Sequence, residues 1–338
     1  MERDSTSSPP LGVLVIGAGA IADLHVAAIA ADPRCTLVGF ADMSADRAHA
    51  AGHRHGGVPW TTDVDAALAR PDVSAVVLCT PNDTHEELAL RVAAAGRHLL
   101  IEKPLATTVA GAAAVAGEFA RRGLVLSVAH SHRFYDYART VHAEIASGAV
   151  GRPVLVRLAL LGGWIWPDWR AWVLSPARSG GHALHNGVHL LDLVTWWIGR
   201  RPVSVYARGQ RRTAAELDVH DYLEMVVRYD DGAVAICEMS RAHRPAALAQ
   251  RDVVVQGTGG LLTLGWDGEG ALLWDEKGAH TLDPGVAYGF TAQLGAWIDA
   301  VTTGDTRARV SGEDAVTAVA LGAAAERSMA AGRPVEVP

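Results

Sequence analysis

Cysteine is scarce in this sequence, and its copies lie far apart. Cys35, Cys79 and Cys237 are the three cysteines among 338 residues, and they form no CxxC pair. An odd number of widely spaced thiols argues against a disulfide framework and is typical of a reducing compartment. We therefore expect a cytoplasmic protein.

An excess of positive charge is also missing. Lys and Arg number 30 against 37 Asp and Glu, so the formal net charge is −7. This balance gives no electrostatic basis for binding nucleic acid or an anionic membrane. No apolar run reaches the roughly 20 residues of a membrane span, and the residues before Leu11 lack the basic flank of a secretory signal. We expect no nucleic-acid and no membrane partner.

The hydrophobic pattern divides the chain into three parts. Residues 1–10 are expected to be a flexible tail. Over 11–133, short apolar strands alternate with helical segments, which predicts a Rossmann domain with a doubly wound parallel sheet. Over 134–338, successive strands are joined by turns such as Asp230-Asp231-Gly232, which predicts an α/β domain with an open, largely antiparallel sheet. We assign substrate binding and oligomerisation to this second domain.

A glycine-rich turn follows the first predicted strand. Gly17 permits a tight turn, Gly19 allows close approach of a pyrophosphate, and the next helix begins with free N–H groups. Asp42 ends the second predicted strand, where a carboxylate accepts hydrogen bonds from an adenosine ribose and repels a 2′-phosphate. The sequence thus favours NAD over NADP, although Arg47 is nearby. The predicted cofactor-binding residues of this region are Gly17, Gly19, Ala20, Ile21 and Asp42.

Two more turns follow strands of the same predicted sheet. Ligands of open α/β sheets bind at the carboxyl ends of the strands, so both turns are expected to face the nicotinamide. The residues predicted to bind the cofactor there are Thr80, Pro81, Asn82, His85, Glu102 and Lys103. Helix capping is the alternative role for Asn82. A lysine enclosed beside a cofactor acquires a lowered pKa that suits proton transfer, and Lys103 is the candidate.

A histidine-rich segment follows Gly180-Gly181. Interpreted as a regular helix, it places His182, His185, His189 and Asp192 on one face. Three imidazoles and a carboxylate are plausible zinc ligands, and the same face also suits acid–base chemistry beside a nicotinamide. Ordinary core or solvated histidines are the third interpretation.

The motifs occur in a recognisable order. They are GAGAIA, CTPNDTH, EKP and GG-x(7)-H-x(2)-D. In this combination the chain, from Leu11 onward, resembles the Gfo/Idh/MocA (glucose–fructose oxidoreductase, inositol dehydrogenase, rhizopine catabolism) family. The resemblance implies that Lys103 is the catalytic proton relay, that His189 binds and helps to deprotonate the reacting hydroxyl, and that no metal is needed. Relatives often carry Asp four residues before that histidine, where this chain has His185. The resemblance also implies a homodimer or homotetramer formed through the C-terminal sheet.

The expected function is hydride transfer between a secondary alcohol of a sugar, sugar derivative or cyclitol and NAD. Lys103, His189 and His185 are the predicted catalytic residues. Tryptophans around the histidine segment suit the C–H faces of sugars, with core or interface packing as the alternative. Arg133 and Arg170 are expected to contact substrate or to form surface ion pairs. The predicted substrate-binding residues are Lys103, Arg133, Trp169, Arg170, His185, Asn186 and His189.

Other functions remain open at this point. The same fold could run as a ketone reductase on a sugar or nucleotide-sugar, or use NAD catalytically in glycoside processing. A metal-dependent hydrolase using His182, His185 and His189 is a distant alternative, and a non-catalytic NAD sensor is another.

Overall fold

The structure is a computed structural model with two sheets. It describes residues 9–163, 171–211, 218–243, 249–265, 271–275, 278–282, 289–307 and 309–338. Most of the predicted tail over 1–10 therefore lies outside the described residues. Across the described part of the chain, no helix combines the length and apolar character needed to cross a membrane.

The first sheet has six parallel strands and confirms the predicted doubly wound fold. The strand order is β3-β2-β1-β4-β5-β6. Strands β2 and β3 are added on one side of β1, and β4 to β6 are added on its other side, so the switch point lies between β1 and β4. The strands are β1 (Leu11–Ile16), β2 (Cys35–Ala41), β3 (Trp60–Thr61), β4 (Ala75–Leu78), β5 (His98–Glu102) and β6 (Leu126–Ala129). The central strands are apolar throughout because helices cover both faces of the sheet.

The helices of this half begin at local capping signals. Ser44 accepts a hydrogen bond from the backbone N–H of Arg47, and Thr108 accepts one from Gly111. The helices are α1 (Ala20–Ala31), α2 (Ala45–Arg54), α3 (Val64–Leu68), α4 (His85–Ala94) and α5 (Val109–Arg121).

The second sheet has nine strands and confirms the largely antiparallel prediction. Its order is β14-β13-β12-β11-β7-β10-β9-β8-β15, and the pair β7–β10 is parallel whereas its other neighbouring strands pair antiparallel. The predicted turn at Gly232 joins β9 to β10, with a positive φ of 89° at the glycine. The strands are β7 (Pro153–Gly163), β8 (Pro202–Gln210), β9 (Tyr222–Tyr229), β10 (Val234–His243), β11 (Ala249–Gly257), β12 (Leu261–Gly265), β13 (Ala271–Asp275), β14 (Gly278–Leu282) and β15 (Val335–Glu336).

The helices of the second half serve both sheets. They are α6 (Asp136–Ala146), α7 (Pro176–Ser179), α8 (Val188–Ile198), α9 (Gly289–Thr303) and α10 (Gly312–Ala331). Trp297 and Ile298 of α9 share a core with Val13 and Val15 of β1. Helix α10 packs on α5 and also on β8. The chain thus returns to the first sheet after building the second one.

The structure corrects the expected geometry of the histidine segment. Residues Ala183–Gly187 form a π-helical turn, and the regular helix α8 starts only at Val188. The wider turn changes which side chains lie above one another. Helix α6 and the strands β13 to β15 were not anticipated. Their segments are short or carry few apolar residues, so periodicity alone does not reveal them.

Candidate active site

The glycine-rich turn after β1 has the shape that a dinucleotide requires. Gly17 has φ of 95°, and a Cβ placed on it would lie 2.6 Å from the carbonyl oxygen of Cys79. Above Gly19 the space is open, since an added Cβ would meet nothing within 4 Å. Helix α1 begins at Ala20, which is exposed, and Gly19 offers no side-chain cap to its free N–H groups. These features fit a pyrophosphate at the start of α1.

Asp42 follows directly after β2, beside the glycine-rich turn. Its carboxylate accepts hydrogen bonds at 2.8 Å from the backbone N–H groups of Ala18 and Ser44 and from the guanidinium of Arg47. Burial alone would raise its pKa, but these hydrogen bonds hold the pKa of Asp42 below its usual value. The group is therefore an ionised carboxylate beside the glycine turn, with an arginine on its outer side.

The turn after β4 links the two halves of the site. Asn82 is buried, and its Nδ2 donates to the carbonyl of Ser179 at 2.8 Å and lies 3.1 Å from Nδ1 of His185. His85 is fully buried, with its ring nitrogens 2.6 Å from the carbonyl oxygen of Pro104 and 2.9 Å from that of Thr80. His85 thus connects the turn after β4 to the turn after β5. Because both ring nitrogens lie next to backbone carbonyls, this geometry does not favour its predicted contact with the cofactor.

Glu102 lies behind the lysine that follows it. One carboxylate oxygen is 2.8 Å from Nε2 of His25, and the other accepts a hydrogen bond from the backbone N–H of Lys103 at 3.2 Å. Burial tends to raise the pKa of Glu102, but the hydrogen bond from His25 holds it below its usual value. The predicted cofactor contact of Glu102 stays a prediction, because this carboxylate already has partners within the protein.

Lys103 joins the first sheet to the histidine segment. It precedes Pro104 through a cis peptide bond, and its Nζ donates to the backbone carbonyl of His185 at 2.8 Å. Burial, opposed by the charge of Glu102 and aided by the charge of Arg241, lowers the pKa of Lys103 to about 8. An amine with this pKa exchanges a proton near neutral pH.

The hydrogen bonds of Asn82 define the tautomer of His185. The carbonyl of Ser179 can only accept, so the amide atom that faces it is the nitrogen. The same nitrogen can then only donate to Nδ1 of His185, which leaves the ring proton on Nε2. Burial and the charge of Lys103 lower the pKa of His185 well below its usual value, so the ring is neutral.

His189 lies one turn further along, at the start of α8. Its side chain is buried, and its ring centroid is 4.6 Å from that of His132. Burial, followed by the charge of Lys103, lowers the pKa of His189 well below its usual value. Lys103 thus contacts the backbone of His185, and its charge acts on both His185 and His189, while the catalytic roles of all three residues stay a prediction.

Sequence reasoning missed several residues beside this pairing. His130 and His132 follow the carboxyl end of β6, and Nδ1 of His132 lies 2.7 Å from the hydroxyl of Tyr137. Burial, followed by the charges of two arginines in the second sheet, lowers the pKa of His132 to about 3. Their position after a parallel strand was the signal that could have identified them.

The remaining predicted substrate residues have different outcomes. Arg133 makes two hydrogen bonds to Asp192, at 2.7 and 2.8 Å, which does not favour its predicted contact with substrate. Asn186 is buried and lines a narrow cavity with His182 and His185. Trp169 and Arg170 lie outside the described residues.

The tryptophans nearby divide between the site and the core. The ring of Trp172 meets that of His185 edge-on, with 5.4 Å between centroids. Trp197 is buried and donates its indole N–H to a backbone carbonyl, which is a packing role. Trp164 and Trp166 lie outside the described residues.

The histidine segment does not have the geometry of a zinc site. Nδ1 of His182 hydrogen-bonds the backbone carbonyl of His220, and the carboxylate of Asp192 is held by Arg133. Within the ranges that the structure describes, no three His, Cys, Asp or Glu side chains are arranged to hold a metal ion. The arrangement therefore offers no support for the metal-dependent hydrolase.

Both halves of the chain match one family of known proteins. Residues 11–130 match the family described as "Oxidoreductase family, NAD-binding Rossmann fold", and residues 138–263 match the "GFO/IDH/MocA C-terminal domain".

Individual relatives match two thirds of the chain or more. The crystal structure of GenD2 from gentamicin A biosynthesis, in complex with NAD, is 31% identical with a TM-score of 0.85, and the match covers 100% of this chain and 99% of GenD2. A 1,5-anhydro-D-fructose reductase of Ensifer adhaerens is 28% identical over 96% of this chain and 97% of its own. An inositol 2-dehydrogenase of Acidothermus cellulolyticus is 32% identical over 67% of this chain and 65% of its own. This chain therefore belongs to the Gfo/Idh/MocA family and is an NAD-dependent oxidoreductase.

Proposed function

We propose that the enzyme moves hydride between a secondary alcohol of a sugar, sugar derivative or cyclitol and NAD, with Lys103 as the proton relay. The observation that carries the proposal is the position of Lys103. Its amine, with a pKa lowered to about 8, projects from the carboxyl edge of the first sheet onto the segment that carries His185 and His189. The names of the relatives, an inositol dehydrogenase and an anhydro-sugar reductase, support this substrate class.

In the proposed reaction the alcohol loses a hydride and a proton. When bound, NAD accepts the hydride and its electron pair from the alcohol carbon. The neutral amine of Lys103 takes the hydroxyl proton and becomes an ammonium, so that the products are a carbonyl compound, NADH and protonated lysine. The same groups acting in reverse would reduce a ketone.

The neighbouring imidazoles would orient the hydroxyl and leave the proton to the lysine. Both His185 and His189 have pKa values far below their usual value, so neither stores a proton near neutral pH. His185, whose ring proton lies on Nε2, would contact a second substrate hydroxyl or tune Lys103. His189 would hold the reacting oxygen.

We also propose that the enzyme prefers NAD to NADP. The support is the ionised carboxylate of Asp42 beside the glycine turn, which would accept hydrogen bonds from a ribose and repel a 2′-phosphate. Arg47, 2.8 Å from that carboxylate, weakens the repulsion.

A second copy of the chain is the proposed partner of the second sheet. On the side of the sheet that carries the exposed Arg157, Val226 and Ile236 lie opposite one another and are partly exposed. We propose a homodimer or homotetramer that covers this face.

The function is tested by NADH formation over a panel of cyclitols, aldoses, anhydro-sugars and glycosides. We expect turnover of one substrate class, with an initial rate that rises with pH until Lys103 is deprotonated at about pH 8. Lys103→Met should lower kcat by at least about 10²-fold, the usual contribution of a positioned base, and leave NADH affinity within a few-fold.

Lys277→Met is the matched control, because Lys103 and Lys277 are the two lysines of the sequence. This variant should keep the wild-type rate and pH profile. A Lys103→Met enzyme that retains turnover would refute the relay, and loss of both turnover and NADH binding would show that Lys103 is structural.

A further inference from the structure

A buried hydrogen bond joins the helix of the glycine-rich turn to the residue that precedes Lys103. Nε2 of His25, in α1, lies 2.8 Å from Oε1 of Glu102, the last residue of β5, and both residues are buried. Because an ionised carboxylate can only accept, Nε2 of His25 carries the hydrogen and is the donor. Within the described residues this charge-assisted bond is the only hydrogen bond of the ring, since Nδ1 is buried without a partner.

Packing alone does not account for a histidine at this position. Ala22 and Val26, beside His25 in α1, belong to an apolar core. Phe290 of α9 meets the imidazole edge-on, with 5.1 Å between ring centroids. An apolar side chain of similar size could fill this place without burying a polar ring. The contact with Glu102 is therefore what the imidazole adds.

Glu102 and the lysine that follows it have different partners. Successive side chains of an extended chain point to opposite sides, and Glu102 contacts α1 whereas Lys103 donates to the carbonyl of His185. Glu102 therefore acts on the amine through its charge. Burial lowers the pKa of Lys103, the charge of Glu102 opposes that shift, and the charge of Arg241 adds to it.

The other titratable groups near this pair come from several elements. Burial raises the pKa of the Cys79 thiol beside Glu102, and burial lowers the pKa of each imidazole within electrostatic reach of Lys103. Those imidazoles belong to His85, His130, His132, His185 and His189. Among the groups that act on the amine, Glu102 is the one that favours the ammonium form.

We propose that His25 is a positioning residue for the proton transfer, which keeps the carboxylate of Glu102 ionised and thereby sets the strength of Lys103 as a base. The hydrogen bond from His25 counteracts burial, which would otherwise raise the pKa of Glu102. Without that bond the carboxylate would be protonated more readily, its charge would be lost, and the pKa of Lys103 would fall. This inference rests on the proposed function, since it concerns the proton relay of the same site.

The sequence permits a direct measurement, because Lys103 and Lys277 are its two lysines. Full-length protein labelled with carbon-13 at the lysine Cε gives two magnetic-resonance signals, and Lys277→Met identifies the signal of Lys103. Its titration should have a midpoint at about pH 8 in the wild type. His25→Leu should lower the midpoint by about 0.5–1 pH unit, and Glu102→Gln by at least as much, since both variants reduce the negative charge beside the amine.

Three further variants separate positioning from a general structural effect. His25→Gln keeps an N–H donor that can reach Glu102 and should retain most of the wild-type midpoint. His98→Leu removes a partly buried imidazole from the start of the same strand β5 and should leave the midpoint unchanged. The double variant His25→Leu/Glu102→Gln should match Glu102→Gln alone, because His25 acts through Glu102.

The titration does not depend on turnover, so it separates this inference from the proposed function. If the midpoint falls in His25→Leu while no sugar or cyclitol is oxidised, the positioning role stands and the dehydrogenase proposal fails. In an active enzyme the pH profile of kcat should move by the same amount. An unchanged or raised midpoint in His25→Leu overturns the inference, and so does a further fall in the double variant. Thermal unfolding of each variant identifies a folding defect. If His25→Leu does not fold, His25→Asn, whose side chain is too short to reach Glu102, carries the comparison.

Discussion

The protonation of Lys103 depends on neighbours that act in opposite directions. Burial and the charge of Arg241 disfavour the ammonium form, whereas Glu102 favours it, and the resulting pKa is about 8. Glu102 is itself held by His25 at 2.8 Å, and it forms no direct ion pair with the described amine of Lys103. A base with this pKa can accept and return a proton near neutral pH, which suits a reversible alcohol oxidation.

Cofactor preference is predicted to depend on the balance between Asp42 and Arg47. Asp42→Asn keeps an oxygen that can accept the backbone hydrogen bond from Ala18 but removes the charge that repels a 2′-phosphate. We expect the ratio of NADPH to NADH dissociation constants, measured by fluorescence titration, to fall about tenfold, or about 1.4 kcal/mol. Arg47→Ala should raise the ratio, because it exposes the carboxylate of Asp42 and removes a cation from its side.

Arg54→Ala is the control for these variants, since Arg54 is an exposed arginine of the same helix α2 and pairs with Asp23 instead. Its ratio should equal that of the wild type. An unchanged ratio in Asp42→Asn would rule out the ribose assignment.

At the level of elements, local signals made the glycine-rich turn between β1 and α1 predictable. The turn at Gly17 and Gly19 lies between a strand and a helix that follow directly in the sequence, so periodicity and glycine chemistry were sufficient. The π turn at Ala183–Gly187 was not predictable in this way. The N–H of Ala183 donates to Glu326, 143 residues away, and the carbonyl of His185 accepts from Lys103. The conformation therefore depends on tertiary partners that no local pattern contains.

Glu326 is predicted to stabilise this turn through a hydrogen bond, and to lower the free energy of unfolding when its buried carboxylate ionises. Its carboxylate is 2.7 Å from the N–H of Ala183, and burial raises its pKa to about 7. Because the folded pKa lies above the ordinary value of 4.5, stability is lost as pH rises from about 4.5 to 7 and stays low above that. Glu326→Gln removes the charge and keeps an acceptor. It should raise the free energy of unfolding at pH 8.5 by up to about 3 kcal/mol.

The comparison at pH 4 is the internal control, because both side chains are then largely neutral in the folded and in the unfolded protein, and the two proteins should unfold at closely similar urea concentrations. Glu326→Ala should destabilise the protein by about 1–3 kcal/mol at the lower pH, since it leaves a buried N–H without an acceptor, whereas at pH 8.5 the removal of the buried charge offsets this loss. If the free energies of unfolding of the wild type and of Glu326→Gln changed with pH in the same way, burial would not raise the pKa of Glu326.

At the scale of the whole molecule, the site is assembled from parts that are distant in sequence. Asn82 and His185, which define the imidazole tautomer, are 103 residues apart, and the lysine and the π turn are 82 apart. Helix α9 returns from the second half of the chain to cover the first sheet. The motifs could indicate candidate catalytic residues, but not that Arg241 would line a cavity with His182 and His185, because β10 carries no motif.

The open face of the second sheet is expected to bind a second copy of the chain. Ile236 pairs with Val226 on one side and with Arg157 on the other, and its partly exposed side chain would be buried by a partner sheet. Light scattering should give about two or four times the chain mass of 35.6 kDa. Ile236→Lys should shift the mass to that of a monomer, because an interface disfavours an unpaired buried ammonium.

Met43→Lys is the matched control for this shift. Met43 is 90% exposed and lies just after β2 of the first sheet. A lysine introduced there also replaces an apolar side chain, and it should leave the oligomeric mass unchanged. Circular dichroism of Ile236→Lys should match that of the wild type, since the substituted side chain does not belong to the core that packs on α8. A monomeric wild type at micromolar concentration would contradict the interface. A folded Ile236→Lys that keeps the oligomeric mass would instead place the contact on another surface, because a lysine at the centre of the buried face would be incompatible with association through it.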